Sequence, residues 1–225
     1  MKTVSVAIDG PAGAGKSTIA RQLASQLGFR YVDTGAIYRT VAYFMDLWGV
    51  SAKDADGVNR YIDELTVGIE YDEDGLQHMI MNGMDVTGDI RTQDISQKAS
   101  LISAHACVRE MLLDMQRDLA KQYNVIMDGR DIGTVVLPKA TVKIFLTASA
   151  EVRAKRRCQE LLAKGQKARY ETVLKEIQQR DYQDTHREIA PLKMARDSIK
   201  VDTSEMTVDE VVAAIREIVR EKAGL

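Results

Sequence analysis

A chain of 225 residues, 45% hydrophobic and 28% charged, has enough apolar material for a filled core and the composition of an ordinary globular protein. Its formal net charge of −2 lacks the basic footprint expected of a duplex-binding protein, so no nucleic-acid partner is expected. No run of about 18 apolar residues would span a bilayer, and Asp9 interrupts the first apolar run too early for a signal peptide to be readable. Cys107 and Cys158 stand alone, without metal-ligand spacing, which fits free thiols in a reducing, cytoplasmic setting.

From the N-terminus, Val4-Ser-Val-Ala-Ile-Asp9 is a short apolar run ending at a glycine-rich turn, as a buried strand does. The turn, Gly10-Pro11-Ala12-Gly13-Ala14-Gly15-Lys16-Ser17, fits the pattern G-x-x-x-x-G-K-S/T at every required position. Behind it Ile19, Ala20, Leu23, Ala24 and Leu27 fall at helical spacing, and Gly28 stands where a helix cap would. Strand, loop and amphipathic helix in this order are the context in which backbone N–H groups and a helix N-terminus wrap the phosphates of a nucleoside triphosphate. Lys16 would then bridge the β- and γ-phosphates, and Ser17 would place its hydroxyl on Mg²⁺. The alternative, a turn that only joins strand to helix, does not account for the matching flanks.

The stretch from Phe29 reads as a brief strand, a turn at Asp33-Thr34-Gly35 and a helix to about Trp48, closed by Gly49. Strand, helix, strand is the grammar of a parallel sheet. Between Leu65 and Val86 the rhythm changes to short strands broken at Asp74-Gly75 and Asn82-Gly83, both hairpin signals. An antiparallel patch is therefore inserted into an alternating α/β chain. Helices are expected from about Asp94 and about Val108, and Asn124 to Gly129 and Val142 to Leu146 return to the parallel sheet. An Arg-rich helix from Ala150 to Lys164, a helix near Tyr170 to Tyr182 and a strand around Ile199 to Val201 follow. The capping box Thr207-Val-Asp-Glu210 opens a terminal helix.

A bound nucleotide triphosphate serves a switch, a motor or a transfer. The Asn/Thr-Lys-x-Asp tetrapeptide of a GTPase switch does not occur, and Asp72-x-x-Gly75 falls in a hairpin turn rather than after a core strand. The strand Val125-Ile-Met-Asp128 ends in one acid, suited to holding a magnesium-bound water, not in the acidic pair of a motor. Arg39, Arg130, Arg180 and Arg187 lie beside turns, and Lys16, Asp33 to Arg39, and Asp128 to Asp131 all follow strand ends, where open α/β sheets bind ligands. Forked guanidinium groups suit an anionic acceptor. A phosphate monoester, with a second pKa of about 6, is mostly a dianion at neutral pH and needs no general base; a hydroxyl acceptor does. His78, His105 and His186 show no placement that suggests a base.

The segments IDGPAGAGKST, DTGAIYR, IRTQDISQKAS, VIMDGRDIGTVVLP and QRDYQDTHREIAPL occur in this order. In them the chain resembles the bacterial cytidylate kinase family over essentially its whole length. The first segment is shared by many families; the DGRDxGT and RD…D…R…APL stretches are much more specific. Ile37 and Leu137 stand where that family often has Met and Phe, and keep the apolar character. The resemblance implies an α/β fold: a P-loop NTPase core of three layers around a parallel sheet, with an inserted antiparallel β-hairpin region and a helical lid. It implies one nucleoside monophosphate kinase domain over residues 1–225, with the monophosphate-binding insert at about 60–100 and the lid at about 150–168.

The implied reaction moves the γ-phosphoryl group of ATP to CMP or dCMP, with Mg²⁺. By the same resemblance ATP lies on Gly10, Pro11, Ala12, Gly13, Ala14, Gly15, Lys16, Ser17 and Thr18, with the metal on Ser17. The acceptor phosphate falls to Arg39, Arg130 and Arg187, the cytosine edge to Ser100, Arg109 and Asp131, and the ribose to Arg180 and Asp184, with Thr34 beside them. Lys16, Asp128, Arg130, Arg157 and Arg187 are the expected catalytic set. Arg153, Arg156 and Arg157 resemble a lid, against the plainer reading of a solvated charged face. Small-molecule nucleotides are the expected partners of a cytoplasmic monomer that meets no membrane. A P-loop kinase with another acceptor, of the UMP/CMP or shikimate type, and a slowly hydrolysing switch are the competing readings.

Overall fold

The structure, a computed structural model, describes residues 3–163 and 165–225; Met1, Lys2 and Lys164, the last being the expected end of the Arg-rich helix, lie outside the described residues. In chain order, β1 (Ser5–Asp9) leads through the glycine-rich loop to α1 (Lys16–Leu27), β2 (Arg30–Asp33) and α2 (Thr34–Leu47). A short helix, α3 (Ala55–Tyr61), precedes β3 (Val67–Tyr71), β4 (Gln77–Met81) and β5 (Met84–Asp85). Next come α4 (Gln93–Ile102), α5 (Ala106–Gln122) and β6 (Val125–Gly129); a wide turn at Ile132–Val136 leads to β7 (Val142–Thr147). The chain continues through α6 (Ala150–Ala163), α7 (Tyr170–His186), β8 (Ile199–Asp202) and α8 (Val208–Ala223).

The larger sheet has the order β2-β6-β1-β7-β8, and every neighbouring pair is parallel. Side chains alternate across a strand, and here both faces are covered, which explains the unbroken apolar runs. Val6 and Ile8 of β1 join Ile126 and Ile144 under α1 and α8, against Ile19, Leu23 and Ile215. Ala7, Val125 and Met127 face the other way, toward Ile37 and Val41 of α2, Ile102 of α4 and Leu112 of α5. The result is helix, sheet, helix, as expected from the sequence. Each large side chain so buried, Ile8 among them at 0% exposure, contributes roughly 1.5–3 kcal/mol of transfer free energy.

Two glycines fix the path of the first loop. A Cβ on Gly10 would fall 1.9 Å from the Leu146 carbonyl oxygen of β7, and Gly15, at φ 84°, sets the left-handed entry to α1. Asp33 caps α2 by accepting from Ala36 N at 2.8 Å, and the Thr207–Glu210 capping box opens α8 as its sequence requires. β3, β4 and β5 form the antiparallel sheet. Asn82 and Gly83 both have positive φ, the two-residue hairpin that Asn-Gly favours. α6 and α7 pack on each other through Ala154, Leu161, Val173 and Ile177.

Candidate active site

The carboxyl ends of β1, β2 and β6 open on a cavity of about 750 Å³. The glycine-rich loop enters it from one side through Ala12, Gly13, Gly15, Lys16, Ser17 and Thr18, while Gly10, Pro11 and Ala14 lie behind. Lys16 is buried, and its Nζ donates to Pro11 O at 2.8 Å; burial, with Arg130 nearby, brings its ammonium down to about 7. Ser17 Oγ donates to Asp128 Oδ2 at 3.0 Å, and Tyr31 OH donates to Asp128 Oδ1 at 2.8 Å. Burial raises the Asp128 carboxyl, and Asp33 adds to the rise. Thr34 Oγ1 donates to Asp128 O at 2.7 Å, which joins the start of α2 to the end of β6.

The opposite wall carries the expected arginines. Arg109 of α5 and Arg187, which follows α7, both donate to the Asp131 carboxylate, the second at 3.3 Å. Burial pushes the Asp131 carboxyl up, while Arg109 and Arg187 pull against it. Arg130 Nε donates to Asp184 Oδ2 at 2.7 Å, and Ser100 Oγ reaches Asp184 Oδ1 at 3.4 Å. Burial would raise Asp184, but Arg130 and Arg180 hold it below the usual carboxylate range. Arg39 pairs with Asp33 at 2.9 Å.

Two donors on this wall stand out. Arg39 Nε and Arg180 Nε are buried with no hydrogen-bond partner among the described residues, where nearly all buried polar groups have one. Burial, and then the charge of Arg130, brings Arg180 down to about 10. A ligand that brings an anionic group and further oxygen acceptors to this end would give both donors a partner.

Of the three arginines of α6, only Arg157 borders the cavity, with a partner in Glu160 at 3.1 Å. Arg153 is buried; it pairs with Asp181 at 2.6 Å and donates to Ala12 O at 3.0 Å. Arg156 donates to Thr203 O at 2.6 Å. These two tie α6 to its surroundings and do not line the cavity, and Arg156 stays partly exposed. None of the histidines borders it either: His78 pairs with Asp85 and Asp72, His105 faces Ala52 O, and His186 stacks on Tyr182. The residue types and spacings did not single out Tyr38 and Ser103. Both line the cavity, Tyr38 under the Arg109 guanidinium and Ser103 accepting from Arg187 Nη1 at 2.9 Å. Tyr38 had a signal, one position before Arg39; Ser103 had only its place one turn beyond Ser100.

A parallel sheet, a phosphate-type loop opening α1 and an arginine-lined wall across one cavity define an α/β protein of the P-loop class. Residues 6–221 match the family described as Cytidylate kinase. The chain is 49% identical over 217 residues to a cytidylate kinase of Carboxydothermus hydrogenoformans, covering 96% of this chain and 97% of that one. It is 48% identical over 217 residues to a cytidylate kinase of Lactobacillus johnsonii, covering 96% and 94%. The crystal structure of an uncharacterized protein from Eubacterium ventriosum shares the fold, with a TM-score of 0.52 at 13% identity over 96% of this chain and 98% of that one. The chain belongs to the cytidylate kinase family.

Proposed function

We propose that the chain transfers the γ-phosphoryl group of ATP to CMP or dCMP, giving ADP and CDP or dCDP. The observation that carries this reading is the pair of orphan guanidinium donors, Arg39 Nε and Arg180 Nε, across one cavity from the glycine-rich loop. One end suits the phosphates of a donor and the other an anionic acceptor. In this reading Gly10 to Thr18 wrap the ATP phosphates, and Lys16 bridges the transferring group and its neighbour. Arg39, Arg130 and Arg187 hold the acceptor phosphate, Arg180 and Asp184 the ribose, and Arg157 reaches in from α6.

The acceptor is itself mostly a dianion at neutral pH, so transfer needs no base. That agrees with a cavity that no histidine borders among the described residues. What remains is alignment and charge neutralisation, the main contributions in phosphoryl transfer. Ser17 and Asp128 supply two hard oxygens side by side, and no group of three His, Cys, Asp or Glu side chains among the described residues forms a cage. This ligand set suits Mg²⁺, which takes few protein ligands and completes its shell with phosphates and water; when bound, it neutralises charge between the phosphates.

Cytosine is read by Asp131, which is paired with Arg109 and Arg187: an ionised carboxylate accepts from the N4 amine of cytosine and repels the O4 of uracil. The insert and α6 close as parts of one domain, in a cytoplasmic monomer. ADP release, measured with and without CMP, tests the reaction. CMP should raise the rate by orders of magnitude, and a rate indifferent to CMP would leave only a slow hydrolase.

A further inference from the structure

The turn that follows Asp131 is held at both ends by side chains that do not line the cavity. Asp9 closes β1 and is 3% exposed. Its two carboxylate oxygens accept from Ile132 N at 2.8 Å and Gly133 N at 2.7 Å, the first two N–H groups after Asp131. At the far end, Arg117 of α5 donates from Nε to Val136 O and from Nη2 to Val135 O, both at 3.1 Å. Between them the backbone is wound wide: Val136 N and Leu137 N reach back five residues, to Asp131 O at 3.2 Å and Ile132 O at 2.7 Å. Such turns are rare and frequently sit at functional positions. The Asp131 side chain does not itself cap the start of the turn, and from within it only Thr134 Oγ1 reaches back, to Asp131 O at 3.4 Å.

The chemistry at both ends is two-pronged. An ionised carboxylate accepts from two neighbouring N–H groups, whereas an amide of the same shape presents a donor to one of them. A guanidinium likewise meets two carbonyls with a fixed fork that an ammonium does not have. We infer that Asp9 and Arg117 are positioning residues for base selection. By clamping the two ends of the 132–136 turn they fix where the Asp131 carboxylate stands, and preference for CMP over UMP then depends on two residues that touch no nucleotide. The inference rests on the base-reading role of Asp131 proposed above.

A purely structural role makes a different statement. If Asp9 and Arg117 only stabilise the fold, their loss lowers the melting temperature and slows CMP and UMP in the same proportion. A displaced Asp131 changes the ratio, because the phosphate contacts do not depend on the base. Arg117 is the cleaner probe. It is half-buried on α5, far from the glycine-rich loop in sequence, and alanine preserves the helix. Asp9 precedes Gly10 directly, and a buried substitution there puts folding at risk, so Arg117 decides alone if the Asp9 variant does not fold.

The experiment measures kcat/KM for CMP and UMP at saturating ATP in wild type, Asp131→Ala, Arg117→Ala, Arg117→Lys and Asp9→Asn, with the KM for ATP and the melting temperature of each. Sub-ångström to ångström misplacement costs up to about a hundredfold, so the CMP-to-UMP ratio should fall roughly tenfold in Arg117→Ala and further in Asp9→Asn. Arg117→Lys, which keeps the charge and loses the fork, should fall between wild type and alanine. The KM for ATP in Arg117→Ala should stay at its wild-type value. Arg117→Ala combined with Asp131→Ala should show no further loss of ratio, as expected of residues acting through one group. A collapsed ratio in Asp131→Ala beside an unchanged ratio in Arg117→Ala would overturn the positioning role and leave base reading intact. An unchanged ratio in Asp131→Ala would remove the base-reading role, and this inference with it.

Discussion

Lys16 and Asp131 test the two ends of the cavity separately. Lys16 is buried, and among the described residues its Nζ has Pro11 O as its one hydrogen-bond partner, which leaves it free to meet a phosphate on the loop. Lys16→Ala should fold normally by circular dichroism and lose turnover roughly a hundredfold or more, about 3 kcal/mol of transition-state stabilisation. Near-normal turnover would remove the donor assignment. Asp131→Ala should abolish most of the preference for CMP over UMP, since a site built to hydrogen-bond one base discriminates strongly only while its polar groups are in place. Arg130→Ala should weaken both monophosphates alike, and kcat/KM for each substrate separates the cases. Arg130 and Asp131 were legible as candidates because the DGRD stretch puts charge beside a strand-end turn; Arg180 and Asp184, expected beside a turn, lie instead within α7. Arg153 and Arg156 were not separable from Arg157 in sequence, because their partners, Asp181 and Thr203, are fixed only when α6 docks. Asp9 read as an interruption of an apolar run; the N–H groups that make use of it lie more than a hundred residues away.

The antiparallel insert is joined to the parallel sheet by a small number of polar contacts. Gln77 of β4 accepts from Asp33 N at 2.7 Å and donates to Asp33 O at 3.3 Å, and Tyr71 OH donates to Tyr31 O at 3.0 Å. Within the insert, His78 lies between Asp85 at 2.7 Å and Asp72 at 3.3 Å. These carboxylates, Asp85 first, raise the His78 pKa above its usual value. A raised histidine stabilises the fold fully below its unfolded pKa of about 6.5 and loses that effect as pH rises through the folded value. The melting temperature of wild type should therefore exceed that of His78→Gln at mildly acid pH, and the gap should close at alkaline pH. A gap independent of pH would mean that His78 contributes by packing. The hairpins were legible because Asp-Gly and Asn-Gly sit between apolar runs. α3 was not: of its residues only Val58 is fully buried, so it has no apolar stripe, and the Asp54 cap was its one signal. The wide turn after Asp131 was illegible for a different reason, since β1 and α5 hold it rather than its own sequence.

At the scale of the molecule, one strand serves both cores. Val6 and Ile8 belong to the layer under α1 and α8, and Ala7 to the layer under α2, α4 and α5. Ile8→Ala should cost about 2–5 kcal/mol and shift a single denaturant transition, because damage at β1 is felt on both faces; a second, separate transition would mean that the layers unfold independently. The sheet and its two faces were readable from alternation and strand-end turns, and the closeness of the two ends of the cavity was not, since it depends on how α6 and α7 lie. Arg153 makes that closeness consequential. One guanidinium holds Ala12 O in the glycine-rich loop and Asp181 on α7, the helix that also carries Arg180 and Asp184. Whatever filling the loop does to Ala12 is thus passed to the helix facing the second ligand. Linkage is reciprocal: a factor by which one ligand tightens the other must be returned unchanged. Calorimetric titration of CMP with and without a non-hydrolysable ATP analogue, and of the analogue with and without CMP, should close as a thermodynamic square with a factor above one. In Arg153→Ala that factor should move toward one, leaving two neighbours that bind without notice of each other.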